Sequence, residues 1–221
     1  MKKYINYLVM LTVSSLLLTA CSKDNFKYKD GYVGSSKITT YPEITVKGED
    51  YMIVAKGGSF TDPGATAKAG TADVKVVSNT ISTAAAGVYT ITYTATNVDG
   101  FSASAIRHVI VYSTEASAQA NDFSGSYARD INGSLAVWTK LVAGVYSVFN
   151  PGGAPGTDLT VIVFNNTGNK IFIPEQDASD GSPTSSASEA STPGPGGTLS
   201  GYSMKIVNPG YGTSVRNFVK Q

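Results

Sequence analysis

The sequence predicts an all-β protein with two β-rich segments, and two observations carry that prediction. Short apolar runs of strand length recur along the chain, separated by Gly, Pro, Asn and Asp clusters that are typical of tight turns. The composition is rich in Gly, Thr, Ser, Val and Tyr, with 23 Gly and 13 Tyr among 221 residues. Beyond an N-terminal targeting segment about two hundred residues remain, which is enough for one large or two small domains.

The first twenty residues predict a cleavable signal peptide. Lys2 and Lys3 precede an apolar stretch from Tyr7 to Leu18, which is shorter than the roughly 20 apolar residues of a spanning helix. The stretch ends in Leu18-Thr19-Ala20-Cys21, which resembles the lipobox of bacterial lipoproteins. The resemblance implies diacylglyceryl attachment at Cys21, the only cysteine in the chain. The alternative is an ordinary secretory signal followed by a chance cysteine.

Residues 21–36 are interpreted as a lipidated tether because they show no sustained apolar period. Ser22-Lys23-Asp24-Asn25 resembles the surface-export signals of Bacteroidetes-type lipoproteins, which favours an outer-membrane anchor facing the cell exterior over the periplasmic face. Without Lys2 and Lys3 the 17 basic residues become 15, against 16 acidic residues. Such a balance provides no basic field for nucleic acid.

Residues 37–113 contain strand-like runs, which are Ile44 to Val46, Tyr51 to Val54, Val74 to Val77, Gly87 to Thr96 and Ala103 to Tyr112. In the fourth run Tyr89, Ile91, Tyr93 and Ala95 alternate with hydroxyl-bearing residues, the pattern of a half-buried antiparallel strand. The last run is apolar on both faces, so both faces are expected to be partly covered. The spacing of these strands is typical of a β-sandwich.

Three motifs in this segment carry a family resemblance. They are Gly58 to Ala65, Ala86 to Asn97, and Asp99-Gly100 with Ser102 to Ala105. Together they resemble the bacterial Ig-like module of surface lipoproteins and repeat proteins. The resemblance implies a seven-stranded Ig-like β-sandwich that serves as a spacer or adhesion module without catalysis.

Residues 114–121 are small and polar and are predicted to link this domain to a second antiparallel β domain at residues 122–221, either a sandwich or a partly closed barrel. Leu159 to Phe164 and Lys170 to Pro174 predict a hairpin. Residues 178–198 are predicted to form a mobile loop, because from Ser182 onward they consist almost entirely of Ser, Thr, Pro and Gly.

The second segment also carries a resemblance, through Gly125-Ser126-Tyr127-x-Arg129, Gly144-Val145-Tyr146, Pro174, Gly210-Tyr211-Gly212 and Arg216-Asn217-Phe218. It is similar to the C-terminal domain of Bacteroidetes-type lipoproteins that pair it with an Ig-like module, a family without a settled activity. The resemblance therefore implies architecture and no chemistry.

The residues do not predict an enzyme or a cofactor. Nucleophilic triads and most zinc sites need histidine, and the single His108 is interpreted as a solvent-facing strand residue. Paired carboxylates could catalyse glycoside hydrolysis, but the acidic residues of the second domain lie mostly in loops. Asp62, Asn97 and Asp99 are weak calcium candidates, although Asp-Pro-Gly and Asn-x-Asp-Gly are also ordinary turn sequences.

Aromatic side chains are the remaining ligand-binding candidates, because sugar rings stack on exposed indole and phenol rings. If Leu135 and Val137 face the core, Trp138 faces outward. Its companions would be Tyr127, Tyr146, Tyr202 and Tyr211, and a core role for Trp138 stays open. The first hypothesis is an accessory glycan-binding or surface-binding lipoprotein with an Ig-like spacer. The alternative is a structural or protein-interaction subunit of an outer-membrane complex.

Overall fold

The computed structural model describes residues 27–221, so the predicted signal peptide, the lipidation site Cys21 and residues 22–26 lie outside the described part. Residues up to Thr40 and residues Tyr41–Gln221 form two separate units. In the first unit a small hairpin pairs β1 (Tyr32–Val33) with β2 (Ser36–Lys37), at the end of the segment that the sequence predicts to be a tether. Within residues 27–221 no helix is long and apolar enough to cross a membrane.

Seven strands form a sandwich of two sheets at the start of the second unit. The strands are β3 (Glu43–Val46), β4 (Tyr51–Ala55), β5 (Ala65–Ala69), β6 (Ala72–Val74), β7 (Val76–Ser78), β8 (Gly87–Thr96) and β9 (Ser102–Tyr112). One sheet has the order β3-β5-β6 and the other β4-β9-β8-β7, with β4 and β9 parallel. The predicted run Val74 to Val77 is divided at Lys75, because the chain passes there from one sheet to the other.

The core of this sandwich is supplied by alternate residues of β8 and β9. Ile91, Tyr93 and Val109 are buried and pack against Ile44 and Val46 of the facing sheet. Thr92 lies on the opposite, exposed face of β8. The predicted alternation of β8 is therefore confirmed.

The other face of β9 packs on the C-terminal domain. Ile110 of β9 is buried in a cluster with Val145, Ile162 and Phe164 of that domain. The expectation that both faces of β9 are covered is confirmed, and the cover on the second face is this domain. Burial of these side chains stabilises the contact, since each fully buried aliphatic or Phe side chain contributes about 1.5–3 kcal/mol.

Eight antiparallel strands form the C-terminal domain. They are β10 (Gly125–Arg129), β11 (Leu135–Val142), β12 (Val145–Phe149), β13 (Thr160–Phe164), β14 (Gln176–Asp177), β15 (Pro183–Pro193), β16 (Leu199–Val207) and β17 (Arg216–Lys220). Their order is β13-β12-β11-β10-β17-β16-β15-β14. The sheet curls into a nearly closed barrel, which decides between the two architectures left open by the sequence.

Closure of the barrel depends on the segment between β13 and β15. Phe164 and Phe172 exchange two backbone hydrogen bonds, as the predicted hairpin requires. Further along, the buried side chain of Gln176 in β14 forms the hydrogen bonds that a neighbouring strand would otherwise form with β13. Its Oε1 accepts from the backbone N–H of Ile162 and its Nε2 donates to the Ile162 carbonyl, each at 2.8 Å. One side chain thus satisfies both backbone groups at the edge of β13.

The prediction of a mobile loop at residues 178–198 is wrong. Most of the segment is β15, an eleven-residue strand paired with β16 from Ser185↔Val207 to Pro193↔Leu199. A short 3₁₀ turn at Pro195–Gly197 follows. The Ser, Thr and Ala side chains of β15 need to bury little, because β16 supplies the apolar residues Leu199, Met204 and Ile206 to the core.

The segment predicted as a linker, residues 114–121, packs along one end of the barrel. It contains the short helix α1 (Ala116–Gln119), in which Ala118 is buried. Thr114 Oγ1 donates to the Ala143 carbonyl at 2.8 Å. A Cβ on Gly144, whose φ is +75°, would lie 2.3 Å from that Thr114 oxygen. We call this end, with loops 143–144 and 165–169, the linker end.

Candidate ligand cleft at the barrel end opposite the linker

Four of the five aromatic ligand candidates lie in the barrel core. Trp138 is 2% exposed, and Tyr127, Tyr146 and Tyr202 are buried beside it. Of the two orientations left open for Trp138, the structure has the core one, because Leu135 and Val137 occupy the outer face of β11 and leave the inner face to Ala136 and Trp138. A side chain without exposed surface cannot stack on a sugar in this state.

The polar atoms of these aromatics are satisfied internally. Trp138 Nε1 donates to Tyr202 Oη at 3.1 Å, and Tyr127 Oη donates to the Phe123 carbonyl at 2.8 Å. Tyr146 Oη donates to the Asn121 carbonyl at 3.1 Å. Burial raises the pKa of Tyr127, Tyr146 and Tyr202 above the ordinary phenol value, so these hydroxyls stay neutral. The cluster packs the core of the barrel.

Tyr211 is the fifth candidate, and it lies at the barrel end opposite the linker. Strand pairing defines this end, because Ala128↔Leu135, Phe149↔Thr160 and Ser185↔Val207 all lie toward it. Loops 150–159, 178–182 and 208–215 meet there around an open cleft of about 270 Å³. The lining residues are Ala154, Thr157, Leu159, Asp180, Asn208, Gly210, Tyr211 and Arg216. We call it the Tyr211 cleft.

Two arginines extend from the barrel interior toward this end. Arg129 is paired with Phe218 across β10 and β17, and Arg216 is two residues before Phe218, so both share its inward face. The Arg216 guanidinium lies 4.5 Å from the centroid of the Tyr211 ring, within cation–π range. Burial, and then the positive charge of Arg129, lower the pKa of Arg216 below its ordinary value. An arginine nevertheless remains protonated.

The loop after β12 holds both guanidinium groups. Arg216 Nη1 donates to the Gly152 carbonyl at 3.0 Å, and Arg129 Nη1 donates to the Gly153 carbonyl at 3.4 Å. A Cβ on Gly152 would lie 2.1 Å from the Tyr211 ring, so only glycine allows this approach. Asn150 starts the turn with φ +51° and accepts from the Ala154 N–H at 2.8 Å.

Asn208 and Asp180 complete the polar lining of the cleft. Asn208 Nδ2 donates to Ser182 Oγ at 2.6 Å and to Thr184 Oγ1 at 2.7 Å, which ties loop 208–215 to β15. Asp180 accepts from the backbone N–H and the hydroxyl of Ser182. These hydrogen bonds lower the pKa of Asp180 below its ordinary value. Asp180 therefore carries a negative charge at neutral pH.

The calcium candidates of the Ig-like sandwich act as structural groups. Asp62 forms an ion pair with the buried Arg107 at 3.5 Å and accepts from Tyr93 Oη at 2.6 Å. Asn97 Oδ1 accepts from the backbone N–H groups of Asp99 and Phe101, as in an Asx turn. Within residues 27–221 no group of three His, Cys, Asp or Glu side chains is placed to hold a metal ion.

His108 is buried, and the prediction of a solvent-facing residue is wrong. It shares the face of β9 that packs on the C-terminal domain, where its ring stacks on Tyr51 with centroids 5.2 Å apart. Its Nδ1 is buried without a hydrogen-bond partner. Burial lowers the pKa of His108, against smaller raising effects of Asp177 and Asp50. The sequence pattern missed that this second face meets another domain.

The arginines and Asn208 of the Tyr211 cleft were not among the predicted site residues. One signal for Arg216 is present in the sequence, since Arg216 and Phe218 alternate with Asn217 and Val219 along a strand. The sequence does not show which of these two faces of β17 points into the barrel. The pairing of Phe218 with the buried Tyr202 shows that Phe218 and Arg216 lie on the inner face. No local pattern brings loops 150–159, 178–182 and 208–215 together.

The comparisons with known proteins concern the Ig-like segment most directly. The sequence family described as bacterial surface protein, Ig-like domain, matches residues 44–111. No curated protein matches the chain. Among solved structures, a lipoprotein from Bacteroides thetaiotaomicron is similar at 20% identity and a TM-score of 0.39, over 82% of this chain and 100% of that chain.

A second solved structure is the M60 catalytic domain with the CBM51-1 and CBM51-2 domains of a Clostridium perfringens protein. It is similar at 16% identity and a TM-score of 0.28, over 83% of this chain and 21% of that chain. Neither likeness is close enough to bear on function. The family match confirms the resemblance of residues 44–111 to the Ig-like domain of bacterial surface proteins.

Proposed function

We propose that this chain is a non-catalytic accessory lipoprotein of the outer membrane, whose C-terminal barrel binds a glycan in the Tyr211 cleft. The observation that carries the proposal is the combination of a half-buried tyrosine with Asp180, Asn208 and Arg216 around one cleft. Glycan sites in proteins combine an apolar ring, against which sugar C–H groups pack, with polar groups that bond the hydroxyls. The barrel mouth is also a frequent position for ligand sites.

The size of the cleft favours one unit of a sugar chain. Ligand pockets for drug-sized molecules start at about 300 Å³, and this cleft holds about 270 Å³ and is open to solvent. Because the cleft is open, a longer sugar chain can pass through it, entering at one side and leaving at the other. Asp180 supplies acceptors, and Asn208 and Arg216 supply donors, for the hydroxyls of the bound unit.

The position of the cleft supports capture at a surface. The Ig-like domain joins the barrel at the linker end, through Thr114 and Glu115, which bond loops 143–144 and 165–169. The cleft lies at the opposite end, so no connection to the preceding domain crosses its entrance. A spacer followed by a binding domain is the order expected of a protein that reaches outward from a lipid anchor.

The site is tested with the mature chain from Ser22 onward, which carries no acyl group. Isothermal titration against a panel of plant and host oligosaccharides should give saturable binding, and Tyr211→Ala should abolish it. The control is Tyr41→Ala, which removes an exposed tyrosine of the Ig-like domain. Absence of binding across the panel, or equal binding by Tyr211→Ala, would refute the proposal.

The anchor and the orientation are tested on cells. Labelled palmitate should enter the full-length protein and not Cys21→Ser. Externally added antibody should label intact cells if the protein faces the exterior. A protein that is processed but not labelled with palmitate would support the ordinary secretory signal, and labelling only after lysis would place the protein on the periplasmic side. For the non-catalytic role, polysaccharides incubated with the protein should show no new reducing ends.

One observation favours a second function, a protein-interaction subunit of an outer-membrane complex. The outer face of the barrel exposes Leu135 (44%), Val137 (36%), Phe149 (44%) and Val219 (55%). Strand pairing makes these residues neighbours, and along β12 the patch leads to Val145 in the contact with the Ig-like domain. Apolar patches of this kind mark contacts with other proteins.

The second function predicts a stable complex with an outer-membrane protein of apolar surface. Cross-linking in membranes should recover that protein with the wild type and lose it in the double variant Val137→Ser with Phe149→Ser. Tyr211→Ala should keep it, because the Tyr211 cleft opens at the barrel end and the patch lies on the barrel side. Recovery that survives the double variant would exclude the patch.

A further inference from the structure

We propose that the Tyr211 cleft selects an acidic glycan, one whose bound unit carries a carboxylate that pairs with Arg216. This inference rests on the proposed glycan-binding function and names the class of sugar. It follows from two guanidinium groups that enter one end of the barrel without a carboxylate partner among the described residues.

The two arginines form a local excess of positive charge. Neither Arg129 nor Arg216 has an Asp or Glu oxygen within 4.0 Å in the described part of the chain, and each bonds a backbone carbonyl only. Asp180, in the same cleft, accepts from Ser182, and Asp130, next to Arg129 in the sequence, accepts from Asn217 at 3.0 Å. Two positive charges at a partly buried site favour the binding of an anion.

Arg216 has unused donors that a carboxylate could take. The structure gives an acceptor to its Nη1 alone, while Nε is buried without a partner. Among the described residues no acceptor pairs with Nη2, which is not fully buried, and Arg216 itself lines the cleft. A planar carboxylate bonds a guanidinium through two parallel hydrogen bonds, which is a geometry that a neutral hydroxyl cannot match.

Contacts within the protein already position Arg216. The Gly152 carbonyl fixes Nη1, and the Tyr211 ring supports the guanidinium plane at 4.5 Å. Arg129 is held behind it by the Gly153 carbonyl and adds a second positive charge without lining the cleft. A preorganised cation loses little conformational freedom when the ligand arrives, which favours affinity.

Asp180 lies in the same cleft and limits which acidic sugars fit. Its charge repels a second anionic group, while its oxygens accept hydrogen bonds from hydroxyls. The arrangement therefore fits a sugar with one carboxylate and several hydroxyls, such as a uronic acid or a nonulosonic acid. A densely sulfated glycan fits less well, because Asp180 opposes every added charge.

The experiment titrates the mature chain from Ser22 with matched probes. They are oligogalacturonate and hyaluronan oligosaccharides for uronic acids, sialyllactose for a nonulosonic acid, and galacto-oligosaccharide and lactose as neutral counterparts. At least one acidic probe should bind, and its neutral counterpart should bind roughly tenfold to hundredfold more weakly, the range of a charge-assisted hydrogen-bonded pair. Affinity for the acidic probe should fall as salt is added.

Variants identify the residue and separate the two proposals. Arg216→Gln should lose the preference for the acidic probe, Arg216→Lys should keep part of it, and Arg129→Gln should weaken it with the cleft lining intact. Each variant is first shown by circular dichroism and thermal melting to be folded. If Arg216→Gln does not fold, Arg216→Lys and Arg129→Gln test the role of the two arginines, and both should weaken the preference for the acidic probe.

The outcomes differ for the two proposals. Binding of neutral and acidic probes with equal affinity, or an acidic preference that survives both Arg216→Gln and Arg129→Gln, overturns the acidic assignment and leaves glycan binding standing. Failure of every probe to bind overturns both. A heparin oligosaccharide serves as a sulfated probe, and its binding above the carboxylated probes would also contradict the assignment, because Asp180 should disfavour it.

Discussion

Replacement of Gln176 by Met tests how the barrel closes. Gln176→Met keeps the length of a buried side chain and removes both hydrogen bonds to the Ile162 backbone, each 2.8 Å long. Each buried backbone group left without a partner costs about 1–3 kcal/mol, so the free energy of unfolding should fall by roughly 2–6 kcal/mol. With an m-value of about 2 kcal/mol/M, the urea midpoint should fall by roughly 1–3 M.

The assay is urea unfolding followed by far-UV circular dichroism on the mature chain. Gln119→Met is the matched control, because Gln119 is exposed in α1 and its replacement should move the midpoint little. A second variant, Gln176→Glu, keeps an acceptor for the Ile162 N–H but sets a carboxylate against the Ile162 carbonyl, so it should also be destabilised. A Gln176→Met midpoint equal to that of the wild type would refute the idea that the Gln176 side chain stabilises the β13 edge of the barrel.

Three further predictions concern other parts of the fold. His108 is the only histidine, and its folded-state pKa lies below the unfolded value of about 6.5. The free energy of unfolding should therefore fall as the pH drops below that value. Thermal melting measured from pH 7.5 to 5 should show this dependence for the wild type and not for His108→Phe. Trp138 fluorescence should be blue-shifted and resist iodide quenching, and Trp138→Phe should lower the free energy of unfolding by roughly 1–3 kcal/mol because Tyr202 loses its donor and a gap remains. Gly144→Ala should lower the melting temperature more than Gly133→Ala, since both have positive φ but only Gly144 has atoms within 3 Å of the added Cβ.

The strands of the Ig-like segment could be predicted because their faces differ. Ile91 and Tyr93 are buried while Thr92 is exposed, so the alternation in the sequence corresponds to two different environments. In β11 the same rule does not decide between the faces. Leu135 and Val137 are apolar and exposed, so alternation alone leaves both orientations of Trp138 open, since a change of one residue exchanges the two faces.

Composition misassigned β15 for a different reason. A segment of Ser, Thr, Pro and Gly predicts little burial, and the prediction of a mobile loop follows only if order requires burial. Strand β15 is ordered chiefly by its backbone pairing with β16, and among its residues only Thr184 is buried. Long-range pairing of this kind leaves no periodic apolar signal in the strand itself, so the sequence around Ser185 could not reveal it.

The candidate site was least accessible to sequence reasoning because it consists of side chains from three loops and a strand. Tyr211 was named for its aromatic ring, but its relation to Arg216 depends on the 4.5 Å approach that Gly152 permits. The glycine has no feature in the sequence that separates it from other turn glycines. Only the assembled barrel end shows that its missing side chain makes room for the tyrosine and supplies the carbonyl for the arginine.

The packing of β9 bears on how a terminal binding site could work on a surface. Ile110 is apolar on a face that an isolated sandwich would leave in water, and it is covered by Ile162 and Phe164 of the barrel. A flexible spacer would need no such contact, and burying these side chains favours one arrangement of the two domains. The ordered segment at Thr114 strengthens the same contact from the linker end. Because the Tyr211 cleft is at the other end, the Ig-like domain can fix the direction in which the cleft opens without contributing a residue to it.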